Sequence, residues 1–219
     1  MTLLNKEELE QFCEALQKAY PNPQCELVWE TPWQLMMAII LSAQSTDKNV
    51  NRVTSELFKY VPTPQKAIEL GEEGVRPYVK SINYFNNKTH AIVALAQKIV
   101  TDFNGKLPTD FETLITLPGI GKKTASVFLN VAYHQPYIGA DTHVLRLANR
   151  LKLCTGKTPA EVQEKLEKSI PEKYKMGFSL ALVLLGRYVC QARKTKCGEC
   201  PIYAICQADE KMKREGGKK

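Results

Sequence analysis

Four cysteines crowd into one short stretch near the C-terminal end: Cys190, Cys197, Cys200 and Cys206, with the spacing C-x6-C-x2-C-x5-C. Short loops between ligands let several thiolates converge on one centre, as an iron–sulfur cluster or a structural zinc requires. Four thiolates suit either, so the spacing points to a metal centre and leaves its kind open. Four unrelated thiols have no reason to sit at this density. The chain holds seven cysteines, an odd number that argues against a complete disulfide framework. Cys13, Cys25 and Cys154 stand alone and read as buried free thiols.

A second constellation is Leu117-Pro-Gly-Ile-Gly-Lys-Lys-Thr-Ala125. One helix runs into a turn with two glycines, Gly119 and Gly121, and a new helix opens at Lys122 and Lys123. Glycine permits unusual backbone angles and close approach of a ligand to main-chain N–H groups. The new helix adds its unpaired N–H donors and positive dipole end, which together make a site for one phosphate. The bland reading is a glycine-rich helix connection. Third comes Ile138-Gly-Ala-Asp-Thr-His143. Asp141 is the natural N-cap of the helix that follows, and by itself this capping role outweighs a catalytic one. His143 taken alone reads as a packed or capping residue.

The elements that must position these residues are almost all helical. Residues 5–19 place Leu9, Phe12, Cys13, Leu16 and Ala19 on one stripe. Comparable segments lie at about 32–43, 47–60, 64–70, 73–80, 87–103, 109–115, 122–133, 142–153, 159–168 and 173–189. Pro and Gly punctuate the gaps, and long runs of strict alternation are absent. The fold class is therefore all-α. With 219 residues, 44% hydrophobic and 24% charged, the composition excludes collagen-like, mucin-like and disordered chains. A formal net charge of +7 and a pI near 9.0 suggest a polyanionic partner. No basic cap followed by an apolar core opens the chain, and Trp33–Ala43 is about half the ~20 residues a bilayer span needs. The protein reads as a soluble monomer with no membrane association and no targeting segment, intracellular and prokaryote-like, in the cytoplasm or nucleoid. Its charged tail, Asp209–Lys219, reads as a loose solvated end.

Taken together, the glycine hairpin with Lys123, the Asp-Thr-His 18 residues later and the 6-2-5 cysteine spacing closely resemble the endonuclease III family. These are helix–hairpin–helix DNA glycosylases that carry an iron–sulfur cluster. Leu41-Ser-Ala-Gln-Ser-Thr-Asp47, Leu70-Gly71 with Gly74-Val75, Lys88 and Asn149-Arg150 extend the likeness over nearly the whole chain, in the same order. The resemblance implies a bifunctional DNA glycosylase and abasic-site lyase of base excision repair. Its partner is double-stranded DNA carrying an oxidised pyrimidine or an abasic site. Lys123 would be the nucleophile that forms a Schiff base with the sugar, and Asp141 the paired carboxylate. Cys190, Cys197, Cys200 and Cys206 would hold a [4Fe-4S] cluster. Gln44 would fill the gap left by the flipped nucleotide, and Tyr84 would be the wedge in the base stack. Lys88, Gly119, Gly121, Lys122, Thr124, His143, Arg193, Lys194 and Lys196 would contact DNA, the last three from the Cys190–Cys197 loop.

The implied architecture is two helical domains with DNA along the cleft between them. One is a six-helix barrel over 25–135 with the helix–hairpin–helix element at about 109–133. The other, an iron–sulfur domain, joins 1–24 to 136–219, so that Lys123 and Asp141 face each other across the junction. Two departures stand out. Family members usually carry Gly before the wedge residue, where this chain has Asn83. Ala140 replaces the more usual Val before Asp141. The alternatives are an adenine- or mismatch-specific relative, which usually lacks Lys at the position of Lys123, and a non-catalytic DNA-binding helix–hairpin–helix protein, which has no need of Lys123 and Asp141 together.

Overall fold

The computed structural model describes residues 2–209 and 211. Most of the charged tail expected to be loose lies outside these residues. Among the described residues the chain forms eleven α-helices: α1 (Lys6–Ala19), α2 (Pro32–Ser42), α3 (Asp47–Tyr60), α4 (Pro64–Val79), α5 (Phe85–Phe103), α6 (Phe111–Leu114), α7 (Lys122–Tyr133), α8 (Thr142–Arg150), α9 (Pro159–Ser169), α10 (Glu172–Lys175) and α11 (Phe178–Tyr188). The one β-feature among them is an isolated antiparallel bridge between Cys190 and Thr195. No described helix is long and apolar enough to cross a membrane.

The chain divides into two compact units. Cys25–Tyr133 holds α2 to α7. Helix α2 is its hub, buried continuously from Trp33 to Leu41, and it packs on α3, α5 and α7. A helix apolar all round belongs inside a bundle, which is why this stretch is a core element. Threonine side chains at 31, 46 and 63 cap α2, α3 and α4 by accepting main-chain N–H groups three residues on, satisfying donors that a helix start leaves free. Two segments expected as separate helices, 64–70 and 73–80, run together as α4 across a kink at Gly71, whose φ is 61°.

The second unit comprises Met1–Gln24 and His134–Lys219. Its core gathers Leu9, Phe12 and Leu16 of α1 with Val144 and Leu147 of α8, Val162 and Leu166 of α9, and Leu182 and Leu185 of α11. Asn5 and Glu8 form a reciprocal capping box at the start of α1, and Glu8 also accepts from Gln207 Nε2 at 2.7 Å. Helix α1 is thereby tied to the residue following Cys206. The expected single helix 173–189 is broken instead at Gly177, which takes φ 72° and whose missing Cβ leaves room for Pro23. Cys13 and Cys154 are buried as expected, and burial pushes the Cys13 thiol up to about 12. Cys25, expected buried, is half-exposed, because it falls in the connection before α2.

Candidate functional site

The glycine hairpin sits between α6 and α7. Asp110 caps α6 by accepting from Thr113 N at 2.8 Å. The chain then tightens into turns, with Leu117 N donating to Leu114 O at 3.1 Å and Ile120 N to Leu117 O at 3.2 Å. Leu117 and Ile120 are buried and fasten the hairpin to the unit beneath. Gly119 has φ 75°, and a Cβ there would stand 2.9 Å from Ala91 Cβ. Conformation and space both demand glycine at this point. Helix α7 opens immediately afterwards, leaving Gly121 and Lys122 exposed and Lys123 and Thr124 half-buried. Its first-turn N–H groups have no acceptor within the helix, and its dipole end is positive. The hairpin thus offers main-chain donors and lysines at one exposed edge, the chemistry of a phosphate grip.

Gln44 and Tyr84 share an uncommon geometry. Both adopt left-handed backbone, with φ of 55° and 58°, and both are exposed, Tyr84 by 63%. Gln44 lies just beyond the end of α2, and Tyr84 immediately precedes α5. Left-handed non-glycine residues concentrate where function holds a turn in place. Lys88 differs from expectation. It is only 7% exposed, and its ammonium donates to Leu41 O at 2.9 Å and to Ala43 O. Burial pulls it below the ordinary lysine range. Its side chain faces protein and holds the Gln44 turn from beneath, where the family resemblance implies a contact with DNA.

Asp141 is presented by a segment with no partner strand. Ile138 N donates to the Glu167 carboxylate, Gly139 N to Ser179 Oγ at 3.0 Å, and Ala140 N to Gln163 Oε1 at 3.4 Å. Three consecutive N–H groups are satisfied by side chains of α9 and α11, as buried main-chain donors require. Asp141 Oδ1 then accepts from His143 N at 2.8 Å and Val144 N at 2.9 Å, so the expected N-cap is present. Its second carboxylate oxygen is not part of this cap.

The four cysteines line one pocket. Leu151, Leu185, Val189, Ile202 and Ala208 form apolar walls, and Arg150, Lys196 and Lys211 add positive charge. Burial raises the thiols of Cys200 and Cys206, main-chain N–H groups at Ile202 and Ala208 oppose this, and charge on the neighbouring cysteines raises both further. Cys197 Sγ meets Thr195 Oγ1 at 3.4 Å. Among the described residues, no three His, Cys, Asp or Glu side chains close tightly enough to hold a single metal ion. Between Cys190 and Cys197 the chain forms a small hairpin, closed by the Cys190–Thr195 bridge and by Lys196 N donating to Val189 O at 3.0 Å. Arg193, Lys194 and Lys196 are exposed on it.

Two arginines of α8 grip this loop, and sequence reasoning missed the first. Arg146 donates to Cys190 O and, at 3.0 Å, to Gly186 O. It also meets His143 Nδ1 at 3.4 Å. Arg150, one turn on, approaches Cys190 Sγ at 3.5 Å and donates to Gln191 O at 2.7 Å and Ala192 O at 3.1 Å. Burial and the Arg150 charge pull the Arg146 guanidinium down, against the pull of Cys190 and Asp141. The i, i+4 pair of arginines following Asp141 was the available signal, since that spacing puts both on one helix face. Helix α8 therefore carries Asp141 at its start and the cysteine loop along its side.

Residues 37–172 match the HhH-GPD superfamily of base excision DNA repair proteins. Endonuclease III of Rickettsia conorii is 45% identical over 193 residues, covering 88% of this chain and 92% of that protein. Endonuclease III of Escherichia coli K12 is 40% identical over 209 residues, covering 95% and 99% respectively. The chain belongs to the endonuclease III family. A trapped endonuclease III–DNA covalent intermediate has the same fold, with a TM-score of 0.88 at 36% identity, over 97% of this chain and 100% of that one. A thermostable thymine-DNA glycosylase shares the fold at a TM-score of 0.81 and 19% identity. The all-α endonuclease III fold and membership among base excision repair proteins are therefore properties of this chain.

Proposed function

We propose that this endonuclease III family member is a bifunctional DNA glycosylase and abasic-site lyase that removes oxidised pyrimidines from duplex DNA. The observation that carries the reading is Lys123, held half-buried in the first turn of α7 directly behind the Gly119–Gly121 hairpin. A phosphate grip and an amine adjoin each other there. An enzyme acting on a base inside a duplex must first extrude the nucleotide. The Lys123 amine then attacks C1′, the bond from C1′ to the base breaks, and the base leaves with its electron pair and takes up a proton. Opening of the sugar gives a Schiff base. Loss of a C2′ proton then drives cleavage of the C3′–O bond, on the 3′ side of the lesion. Asp141 stabilises positive charge developing on the sugar and assists these proton transfers, using carboxylate capacity that the α8 cap leaves over.

Cys190, Cys197, Cys200 and Cys206 would hold a [4Fe-4S] cluster. Four thiols on one apolar-walled pocket, N–H groups at Ile202 and Ala208, and surrounding cations fit an anionic thiolate-bound core. Four thiolates could also hold zinc, and the family resemblance favours the cluster. When bound, the cluster supplies a rigid cross-link that fixes the Cys190–Cys197 loop, leaving Arg193, Lys194 and Lys196 to meet phosphates. Purified protein is expected to be brown, absorbing broadly at the blue end of the spectrum, with iron and acid-labile sulfide in equal amounts. A colourless, zinc-loaded and fully active protein contradicts this.

Single-lesion duplexes test the substrate class. Thymine glycol and abasic duplexes are expected to be cut, with undamaged DNA and adenine opposite 8-oxoguanine left intact. Binding should fall steeply with salt, the logarithmic slope gaining about −0.9 for each phosphate neutralised. Excision confined to adenine, or binding without any cutting, would favour the mismatch-specific or non-catalytic alternative.

A further inference from the structure

The departure at Asn83 has a structural counterpart. Asn83 Nδ2 donates to the main-chain oxygen of Gln44 at 2.6 Å, across 39 residues of sequence. The residue therefore joins the turn that presents Gln44 to the turn that presents Tyr84. The second turn is also anchored on its other side, where Asn49 Nδ2 reaches Ser81 O at 3.2 Å and Arg52 reaches Ser81 Oγ at 3.0 Å. Gln44 is held from beneath by Lys88 on Ala43 O, so Asn83 closes the connection on the exposed side.

We propose that Asn83 is a positioning residue that locks the Gln44 and Tyr84 turns together, so that both side chains enter a damaged duplex as one preassembled pair. This rests on the reading that Gln44 and Tyr84 are the inserted residues. Two independently mobile turns would each lose conformational freedom on entering the base stack. Turns already tied together have lost part of it beforehand, which favours the inserted complex. A glycine at this position has no side chain to make the tie, so the device belongs to Asn83 and not to the turn itself. Gripping of undamaged DNA by the Gly119 hairpin needs no insertion and does not call on Asn83.

Asn83 has no left-handed backbone, so Asn83→Ala and the isosteric Asn83→Asp both remove the donor without straining the turn. Affinities are compared for a duplex bearing a tetrahydrofuran abasic analogue, which forms no Schiff base, and for its undamaged counterpart. Loss of one hydrogen bond should lower the ratio of the two affinities roughly three- to tenfold in both variants, with undamaged binding changed by less than about twofold. Removing both side chains that are being positioned should abolish the effect, so Asn83→Ala in a Gln44→Ala, Tyr84→Ala background should change nothing further. An unchanged ratio, an equal loss on both duplexes, or an undiminished effect of Asn83→Ala in that background would overturn the proposal. Wild-type protein with no preference for the abasic analogue would instead overturn the insertion reading beneath it.

Discussion

Lys123→Ala is expected to abolish covalent trapping on abasic DNA and to lower strand cleavage by at least about a thousandfold. Binding to the same DNA should change no more than a few-fold. Lys123 lies in the first turn of α7, where alanine is the best helix former, so the element survives the change. The Gly119–Gly121 main chain and Lys122 also survive, and with them the phosphate grip. Lys123→Arg sharpens the result. It retains the positive charge but presents a guanidinium that does not deprotonate at working pH, so it should bind as wild type and fail to trap. If Lys123→Ala lost binding and cleavage in equal proportion, the residue would be part of the grip and not the nucleophile.

Asp141→Asn separates the capping role of this side chain from the catalytic one proposed for it. Asparagine caps a helix about as well as aspartate, so the bonds to His143 N and Val144 N have a substitute oxygen. Stability should fall by less than about 1 kcal/mol, chiefly from lost charge at the α8 dipole. Base excision under single-turnover conditions should nevertheless fall about 10²- to 10⁴-fold, the range for removing a positioned acid–base group. Asp141→Ala should lose the same activity and, in addition, about 1 kcal/mol from the missing cap. Thermal unfolding and excision rates measured on the same two preparations check both parts. An active Asp141→Asn protein would reduce Asp141 to its capping role.

What was legible in the sequence divides along physical lines. The Asp141 cap, the glycine turn at 119 and the helical stripe of α1 were visible because each depends on neighbours a few residues away. The common pocket of the four cysteines was visible because short loops limit where their thiols can go. Lys88 was expected at the DNA on family resemblance alone, and nothing in its local sequence marks it as buried. Its burial is set by carbonyls of Leu41 and Ala43, 47 and 45 residues upstream. The break at Gly177 was invisible for a similar reason, since the periodicity of 173–189 is helical throughout and the contact with Pro23 arises only on folding. Arg146 was passed over, because its grip on Cys190 and Gly186 appears only when α8 lies against α11. Local chemistry was readable in these cases, and long-range hydrogen bonding was not.

The proposed reaction requires that Lys123 itself become bonded to the sugar of damaged DNA. Borohydride reduction of the wild-type protein on a duplex with one abasic site, followed by proteolysis and mass spectrometry of the cross-linked peptide, tests it directly. The expected adduct lies on Lys123, in one-to-one ratio with DNA. An adduct on Lys122 or any other amine, or robust trapping by the Lys123→Ala protein, would contradict it.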